Sequence, residues 1–196
     1  ATAIQFGCLT MAMEPGNKVI EAWAKEHYDQ KSVTISHDIN MRPALGFDRE
    51  TERVRVERVN EFSHVIKASD EDIYWLYGLE EGTDIDPIVA KWIGDTGRHV
   101  FVTRGGDGAS LYRSGKRIDV SAPKIQLVDT VGAGDTFMAN FLGELNDLGV
   151  LGGGLESVSD EQLAGAANFA AVAAGIVCER QGCEPPTKTE VIARLG

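Results

Sequence analysis

The order of the predicted strands and helices constrains the fold of this chain more than any other feature. Four short segments predict strands, over residues 3–9, 33–39, 64–68 and 99–103. Helical patterns separate them: one opens at 14–16, a charged surface helix covers 49–62, one follows a cap at 69–72, and one covers 87–96. Strands joined through helices pair in parallel with right-handed crossovers, so this order predicts an open three-layer α/β sheet, mostly parallel.

The second half of the chain predicts a hairpin, one more strand and two long helices. The hairpin joins residues 109–113 to 116–120 at the far edge of the sheet. A short apolar strand at 125–128 leads into a helix from about Gly134 to Leu148, and the last long helix starts at Asp160. Because no linker or low-complexity tract interrupts residues 1–196, we expect them to form a single α/β portion.

Composition excludes several classes of partner. A formal net charge of -11 argues against non-specific binding to nucleic acid or to an anionic membrane. The three cysteines (Cys8, Cys178 and Cys183) are too few for a disulfide framework, so we expect reduced thiols in a cytoplasmic protein. The N-terminal residues have no signal-peptide pattern. The apolar run 163–178 is shorter than the roughly 20 residues of a membrane span and contains Asn168, so it predicts a buried helix.

The joint between the strand predicted at 125–128 and the helix after it is a candidate site for phosphoryl transfer. Its sequence is Asp-Thr-Val-Gly-Ala-Gly-Asp-Thr-Phe, residues 129–137. Two glycines leave the first helical amides uncovered, and these amides with the helix dipole favour an anion. Asp135 lies in the same first turn and can take a hydroxyl proton. The alternative is a simple helix cap at Asp129 or Thr130, with the glycines serving only the turn.

Three other strand ends carry polar or glycine-rich segments. The glycine-rich turn after Thr103 fits a nucleotide site or the entry turn of a hairpin. Residues 38–43 offer an Asp, an Asn and an Arg, either for a ligand or for a local salt-bridged turn. Residues 69–72 read first as a helix cap with acidic residues in the favourable first turn.

The string at 129–137 is similar to the C-terminal signature of the ribokinase-like carbohydrate kinases. This resemblance implies that Asp135 is the catalytic base and that Gly132, Ala133 and Gly134 form an anion hole of backbone amides. The segment 103–109 resembles the family's Thr-x-Gly-x-x-Gly-Ala segment, which borders ATP. That likeness implies that Thr103, Gly105, Gly106 and Gly108 contact the nucleotide.

The segment 38–43 is similar to the Asp-x-Asn-x-Arg segment of the fructokinase-like branch. The similarity implies substrate contacts by Asp38, Asn40 and Arg42, and fructose or a related sugar as the substrate. A sugar acid, ribose or a nucleoside remain alternatives. Ser69 and Asp72 stand where the family has Asn-x-x-Glu near Mg²⁺, which implies that Asp72 belongs to the metal shell.

The remaining family segments concern the base and the cations. Asn168 and Ala171 lie on the helix that the family places against adenine. The turn at 180–186 matches the family's Arg-x-Gly-x-x-x-Pro turn, which with Asp129 and the Val131 carbonyl holds K⁺ in some relatives. The resemblance thus implies ATP, Mg²⁺ and optionally K⁺ as cofactors, a sugar as the partner, and leaves a homodimer open.

The matched segments correspond to the C-terminal part of a family member. The first strands of the sheet and the small β lid, which supply most sugar contacts, have no counterpart in these residues, so we expect weak or no sugar kinase activity from them alone. A non-catalytic nucleotide-binding module is the rival hypothesis. A dinucleotide-dependent dehydrogenase is disfavoured because no Gly-x-Gly-x-x-Gly follows an early strand.

Overall fold

A computed structural model describes residues 1–7 and 9–196 of the protein. The strands are β1 (Ala3–Gly7), β2 (Thr34–Asp38), β3 (Val65–Ser69), β4 (His99–Thr103), β5 (Ala109–Arg113) and β6 (Lys116–Val120). The α-helices are α1 (Leu9–Ala12), α2 (Gly16–Asp29), α3 (Arg49–Asn60), α4 (Asp70–Tyr77), α5 (Asp86–Ile93), α6 (Ala133–Asp147), α7 (Asp160–Cys178) and α8 (Lys188–Leu195). Short 3-10 helices cover Pro43–Leu45 and Gly105–Asp107.

The six strands form one sheet in the order β1-β2-β3-β4-β5-β6. The pairs β1–β2, β2–β3 and β3–β4 are parallel, as the alternation of strands and helices predicts. Their register sets Gly7 beside Asp38 and Ser69 beside Thr103. The carboxyl ends of these strands therefore lie along one edge of the sheet, where α/β folds bind their ligands. The predicted α/β fold with a mostly parallel sheet is confirmed.

The first strand is shorter than predicted. It ends at Gly7, and Leu9 already begins α1. Cys8, which the prediction includes in the strand, lies outside the described residues. A side chain at position 7 would lie 1.7 Å from the carbonyl oxygen of Asp38, so only glycine allows β1 to approach β2 at this point.

The contacts of the chain group into two compact units. Unit 1 comprises Ala1–Thr103, Leu111–Arg117 and Leu151–Glu156, and unit 2 comprises Arg104–Ser110, Ile118–Val150 and Ser157–Gly196.

Unit 1 has two apolar clusters. One gathers side chains around Ile66, Trp92 and Val100, and the other gathers side chains around Ile35, Phe6 and Phe62. The charged helix α3 is predicted to lie at the surface, but only one of its faces does. Its other face buries Val56 and Val59 together with an ion pair between Glu52 and Arg55, and such a pair keeps two charges tolerable inside a core.

Unit 2 is built on α6 and α7, which pack against each other. Most of α7 is buried, as its run of small residues predicts. By length and composition alone this helix could cross a membrane, but 67% of its most apolar window is buried inside the protein, as in the core helix of a soluble domain. Its Gly175 faces the segment before the candidate site, because an added Cβ there would lie 2.4 Å from Pro123.

The prediction of a strand at 125–128 is wrong. The structure has no strand over these residues, and Leu127 and Val128 are exposed. The backbone N–H groups of Val128 and Asp129 donate instead to the carbonyl of Cys178, at 2.8 and 3.2 Å. The C-terminal end of α7 supplies an acceptor for this segment, since the last carbonyls of a helix have no partner within it. The terminal helix α8 is not predicted by the sequence, although its Thr-x-x-Glu capping box at Thr187 and Glu190 is a helix signal.

Candidate active site

In unit 2, a tight turn precedes α6 and exposes the first amides of that helix. Ala133 N–H donates to the Thr130 carbonyl at 3.2 Å, which closes the turn. Gly132 has φ 78° and ψ 2°, the geometry of the third residue of a type II turn. Among the described residues, the N–H groups of Gly132, Gly134 and Asp135 have no acceptor. Of the three amides predicted to form an anion hole, those of Gly132 and Gly134 are free and that of Ala133 closes the turn, at the positive end of a 15-residue helix.

Asp135 projects from the first turn of α6 and is exposed. The three residues after it, Thr136, Phe137 and Met138, are buried and fix the helix in unit 2. Thr136 N–H donates to the Gly132 carbonyl at 2.8 Å, so regular helical bonding begins directly after Asp135. A carboxylate thus stands at a rigid helix start beside free amides.

Asp129 ties the turn before α6 to the turn after α7. One carboxylate oxygen accepts from Val131 N–H and the other from Gly182 N–H, both at 3.0 Å. These two backbone hydrogen bonds hold the pKa of Asp129 below its usual value. Asp129 and the Val131 carbonyl, the predicted ligands of a monovalent cation, are close in sequence, and Asp129 keeps a negative charge there.

The glycine-rich segment forms a closed 3-10 turn in unit 2. Arg104 N–H donates to the Gly108 carbonyl at 2.8 Å, which closes it. Gly105 and Gly108 have φ 50° and 90°, so both need the left-handed freedom of glycine. A Cβ on Gly108 would lie 2.2 Å from the Val120 carbonyl oxygen, whereas Gly106 has open space and an ordinary φ. The turn leads into β5, as the hairpin-entry alternative predicts. It also leaves the backbone at Gly106 open, as a nucleotide site would need.

Asn168 and Ala171 lie one turn apart on α7. Asn168 is exposed and Ala171 is 8% exposed. Residues three apart on a helix share a face, so the amide of Asn168 lies next to a small side chain.

In unit 1, Asp38 is engaged in a buried ion pair. Its carboxylate accepts from the Lys67 ammonium at 2.9 Å, and both side chains are about 5% exposed. The register of β2 with β3 places the two residues side by side. Lys67 was missed by the sequence reasoning, although a lysine within an otherwise apolar strand signals a buried acidic partner.

Asn40 and Arg42 form a local turn beyond β2. The Arg42 guanidinium donates to the side-chain oxygen of Asn40 at 2.5 Å and to the Met41 carbonyl at 3.0 Å. Asn40 has φ 41°, a left-handed conformation that asparagine tolerates. The arrangement matches the local-turn alternative, while Arg42 itself is exposed and retains donors for a ligand.

Asp72 caps α4 and also holds the segment beyond β2. One of its oxygens accepts from Ser69 N–H at 2.8 Å, and Ser69 Oγ accepts from Asp72 N–H, a complete capping box. Its other oxygen accepts from Met41 N–H at 2.7 Å. Both oxygens of the predicted metal-shell residue therefore have backbone partners. Within residues 1–7 and 9–196, no group of three or more His, Cys, Asp or Glu side chains is arranged to hold a metal ion.

The remaining predicted site residue, Thr103, ends β4 in unit 1. Its hydroxyl lies 3.5 Å from the Ala68 carbonyl, the limit for a hydrogen bond. Each unit thus gathers its own set of predicted residues. Unit 1 brings Asp72 to the segment after Asp38, and unit 2 joins Asp129 to the turn that precedes Asp135.

The chain is similar to known proteins in sequence. Residues 19–190 match the family described as pfkB family carbohydrate kinase. The fructokinase of Rhizobium leguminosarum bv. trifolii is 35% identical over 143 residues, which cover 73% of this chain and 42% of that protein. The probable chloroplastic fructokinase-6 of Arabidopsis thaliana is 30% identical over 194 residues, which cover 97% of this chain and 48% of that protein. The chain therefore spans about half the length of these relatives.

Solved structures share the fold. Aminoimidazole riboside kinase from Salmonella enterica, complexed with aminoimidazole riboside and an ATP analog, has a TM-score of 0.85 at 19% identity, covering 99% of this chain and 62% of that one. Fructokinase from Vibrio cholerae O395, with fructose, ADP and calcium ion bound, has a TM-score of 0.84 at 20% identity, covering 99% of this chain and 60% of that one. At these identities the likeness shows the fold alone.

Proposed function

Because the chain belongs to the pfkB family of carbohydrate kinases, we propose that residues 1–196 are the phosphoryl-transfer portion of an ATP-dependent sugar kinase. One observation carries the proposal: an exposed carboxylate, Asp135, stands in the first turn of a helix beside the free amides of Gly132 and Gly134. Transfer of a phosphoryl group to an alcohol needs both a proton acceptor and fixed positive dipoles.

In the proposed reaction, a sugar hydroxyl attacks the γ-phosphorus of ATP and Asp135 accepts the hydroxyl proton. The bond between that phosphorus and the β,γ-bridging oxygen breaks, and ADP leaves with the electron pair. We assign the stabilisation of the negative charge that develops on the phosphoryl oxygens to the backbone amides of Gly132, Ala133 and Gly134, of which those of Gly132 and Gly134 are free. A bound Mg²⁺ neutralises phosphate charge in such reactions. This chain offers Asp72 as the metal-shell residue, and its occupied oxygens suit contact through water better than direct ligation. Asp129 and the Val131 carbonyl would hold a monovalent cation such as K⁺.

We assign ATP to the glycine-rich turn and to α7. Gly105, Gly106 and Gly108, which follow Thr103, offer backbone to phosphate and ribose. Asn168 and Ala171 offer a polar group and a flat space to the adenine ring. Both partners of the reaction are small molecules of the cytoplasm, and a homodimer is compatible with the proposal.

Fructose or a related sugar is the proposed substrate. The matching relatives are named fructokinases, and Asp38, Asn40 and Arg42 resemble that branch. Arg42 is exposed and is the one most available to a ligand, whereas Asp38 is buried against Lys67. Sugar acids, ribose and nucleosides are the competing substrates, and an ADP-release screen of the full-length protein across these classes identifies the substrate.

Replacement of Asp135 by Asn tests the proposed function. In the full-length protein, Asp135→Asn should lower kcat by at least about a hundredfold, because a general base contributes about 10² to 10⁴ in rate, while ATP binding stays within a few-fold. Asp160→Asn is the matched control, since Asp160 also lies in the first turn of a unit 2 helix, and it should keep wild-type turnover. Unchanged turnover in Asp135→Asn would falsify the assignment of the base.

The rival is a module that binds ATP without transferring its phosphoryl group. The engagement of Asp38, Asn40 and Arg42 with their own chain favours it. The two functions separate in the same experiment: the rival predicts nucleotide binding with no sugar-dependent ADP release from the wild-type protein.

A further inference from the structure

We propose that Arg180 is a positioning residue for the anion hole, acting through residues 180–184, here called the 180–184 turn. The inference rests on the proposed function for its catalytic consequence, and on the contacts of unit 2 for its structural part. Arg180 itself touches none of the residues assigned to catalysis. Its guanidinium organises the turn, in which Gly182 and Cys183 contact the segment that forms the hole.

The 180–184 turn contacts both ends of residues 129–132. Gly182 N–H donates to one oxygen of Asp129 at 3.0 Å, and the other oxygen of Asp129 accepts from Val131 N–H. The next residue, Cys183, lies against Gly132, since a Cβ added to Gly132 would be 2.1 Å from the Cys183 sulfur. The peptide groups before α6 are thus held by a hydrogen bond on one side and by van der Waals contact on the other.

The turn has little of its own to keep it in place. Gly182 has φ 74°, and a Cβ added to it would meet no atom within 4 Å. Within the described residues of the turn, the one internal backbone hydrogen bond joins Glu184 N–H to the Gly182 carbonyl at 3.1 Å. A glycine in open space leaves the backbone free to change conformation unless something outside the turn restrains it.

Arg180 supplies that restraint. Its guanidinium donates to the carbonyls of Glu184 and Pro185, at 3.3 and 3.5 Å, and forms an ion pair with Glu190. Glu190 in turn accepts from Thr187 N–H at 2.7 Å and caps α8. Its hydrogen bonds with Thr187 and Arg180 lower the pKa of Glu190 to about 2, so the pair remains charged at neutral pH. One planar group therefore links the end of α7, the turn and the start of α8.

The catalytic consequence follows from geometry. An anion hole stabilises the transition state only while its amides point at the developing charge, and small displacements are costly in rate. Loss of the Arg180 restraint should let the 180–184 turn, and with it Asp129 and Gly132, take up other positions. Such a change weakens transition-state binding more than ATP binding.

Arg180→Ala and Arg194→Ala form the test pair. Arg194 also joins the end of α7 to α8, through Glu179 at 2.7 Å. Among the described residues, it forms no hydrogen bond or ion pair with residues 181–184. In the full-length kinase we expect Arg180→Ala to lower kcat about tenfold or more with KM for ATP within about threefold, and Arg194→Ala to change neither. Arg180→Lys keeps a charge for Glu190 but loses the planar guanidinium, so its kcat should lie between those of the wild type and Arg180→Ala. Equal kcat in Arg180→Ala and Arg194→Ala overturns the proposal.

Amide hydrogen exchange gives a readout that needs no kinase activity. Peptides covering residues 129–136 and 180–186 should exchange at least about tenfold faster in Arg180→Ala and at the wild-type rate in Arg194→Ala. Should Arg180→Ala fail to fold, Glu190→Gln serves in its place, since it removes the ion pair and keeps a capping side chain. If the wild-type protein shows no phosphoryl transfer while exchange changes as stated, the proposed function is wrong and the positioning role stands. Unchanged exchange over 129–136 overturns the positioning role.

Discussion

At the scale of single residues, Gly132 is the position where backbone conformation and packing impose the same requirement. Its φ of 78° is disfavoured for any residue with a side chain, and the sulfur of Cys183 fills the space in which a Cβ would stand. The turn before α6 therefore requires glycine at position 132 whether or not the proposed anion hole binds a phosphate.

Gly132→Ala should destabilise the protein and reduce its activity. The left-handed conformation alone costs about 1 kcal/mol or more, and the overlap with Cys183 adds to it. Gly143→Ala on the same helix is the control, because an added Cβ there meets nothing within 4 Å. It should raise stability by about 0.5–1 kcal/mol through helix propensity. Chemical denaturation of both variants measures the difference, and equal stabilities would contradict the packing described at Cys183.

The residues of the proposed anion hole could be singled out from the sequence because they are adjacent. Asp129, Gly132 and Asp135 lie within seven residues, so local chemistry suffices to propose them. Their supports could not be predicted, since Gly182 is 53 residues from Asp129 and Lys67 is 29 residues from Asp38. Such pairings depend on strand register and on chain reversals that no local pattern specifies.

At the scale of elements, the strand pair β2–β3 contains a polar contact that the apolar pattern conceals. Asp38 and Lys67 are paired in register inside the sheet, and both are buried along with most residues of their strands. A buried pair of this kind adds little net stability but is costly to break from one side.

Lys67→Met should therefore cost about 3–5 kcal/mol, because the Asp38 carboxylate loses its ammonium partner in a dry environment. Adding Asp38→Asn should recover at least about half of that loss. Urea denaturation of the single and double variants, compared as a thermodynamic cycle, gives the coupling. Additive effects of the two substitutions would show that the carboxylate does not depend on Lys67.

The strand wrongly predicted at 125–128 and the unpredicted helix α8 both have physical explanations. Residues 125–128 have the apolar character of a strand, yet their backbone bonds go to the end of α7. Helix α8 follows two prolines and is only eight residues long, so its periodicity is too brief to predict it. The long, strongly patterned elements α2, α6 and α7 were predicted within a few residues of their bounds.

At the scale of the whole molecule, the alternation of strands and helices sufficed to predict an α/β fold with a mostly parallel sheet. The division into two compact units was not predicted, because it depends on contacts between segments far apart in sequence. Unit 1 alone combines three separate stretches of chain. The net charge of -11 bears on partners and solubility rather than on this arrangement.

Global stability should fall as the pH drops from about 6.5 to about 4. Burial, offset in part by the hydrogen bond to Asn60, lowers the pKa of His37 to about 4. Burial, with the Arg113 charge, does the same for His99, whose ring nitrogens have no partner of normal geometry among the described residues. An unfolded histidine, with a pKa near 6.5, binds a proton first, so protonation favours unfolding.

At pH 5 each histidine should cost roughly 2 kcal/mol relative to pH 7.5. Carboxylates with lowered pKa values, such as Glu190, lose the stability that they supply only at lower pH, below their ordinary pKa of about 4.5. Denaturation curves at pH 7.5 and pH 5 measure the loss, and His99→Leu should remove about half of the part due to these two residues. Equal stability of the wild-type protein at the two pH values would contradict this origin of acid sensitivity.

The crowding at Gly108 has a consequence for how sequence variation among relatives is interpreted. Its Cβ position is blocked by the Val120 carbonyl, so we expect relatives to retain glycine there whether or not a nucleotide binds. Gly105 is likewise held by its positive φ. Gly106 has neither constraint, since its φ is ordinary and the space around it is open. Of the three, Gly106 is the position whose evolutionary record reports on ligand binding, and relatives that have lost the nucleotide should diversify there first.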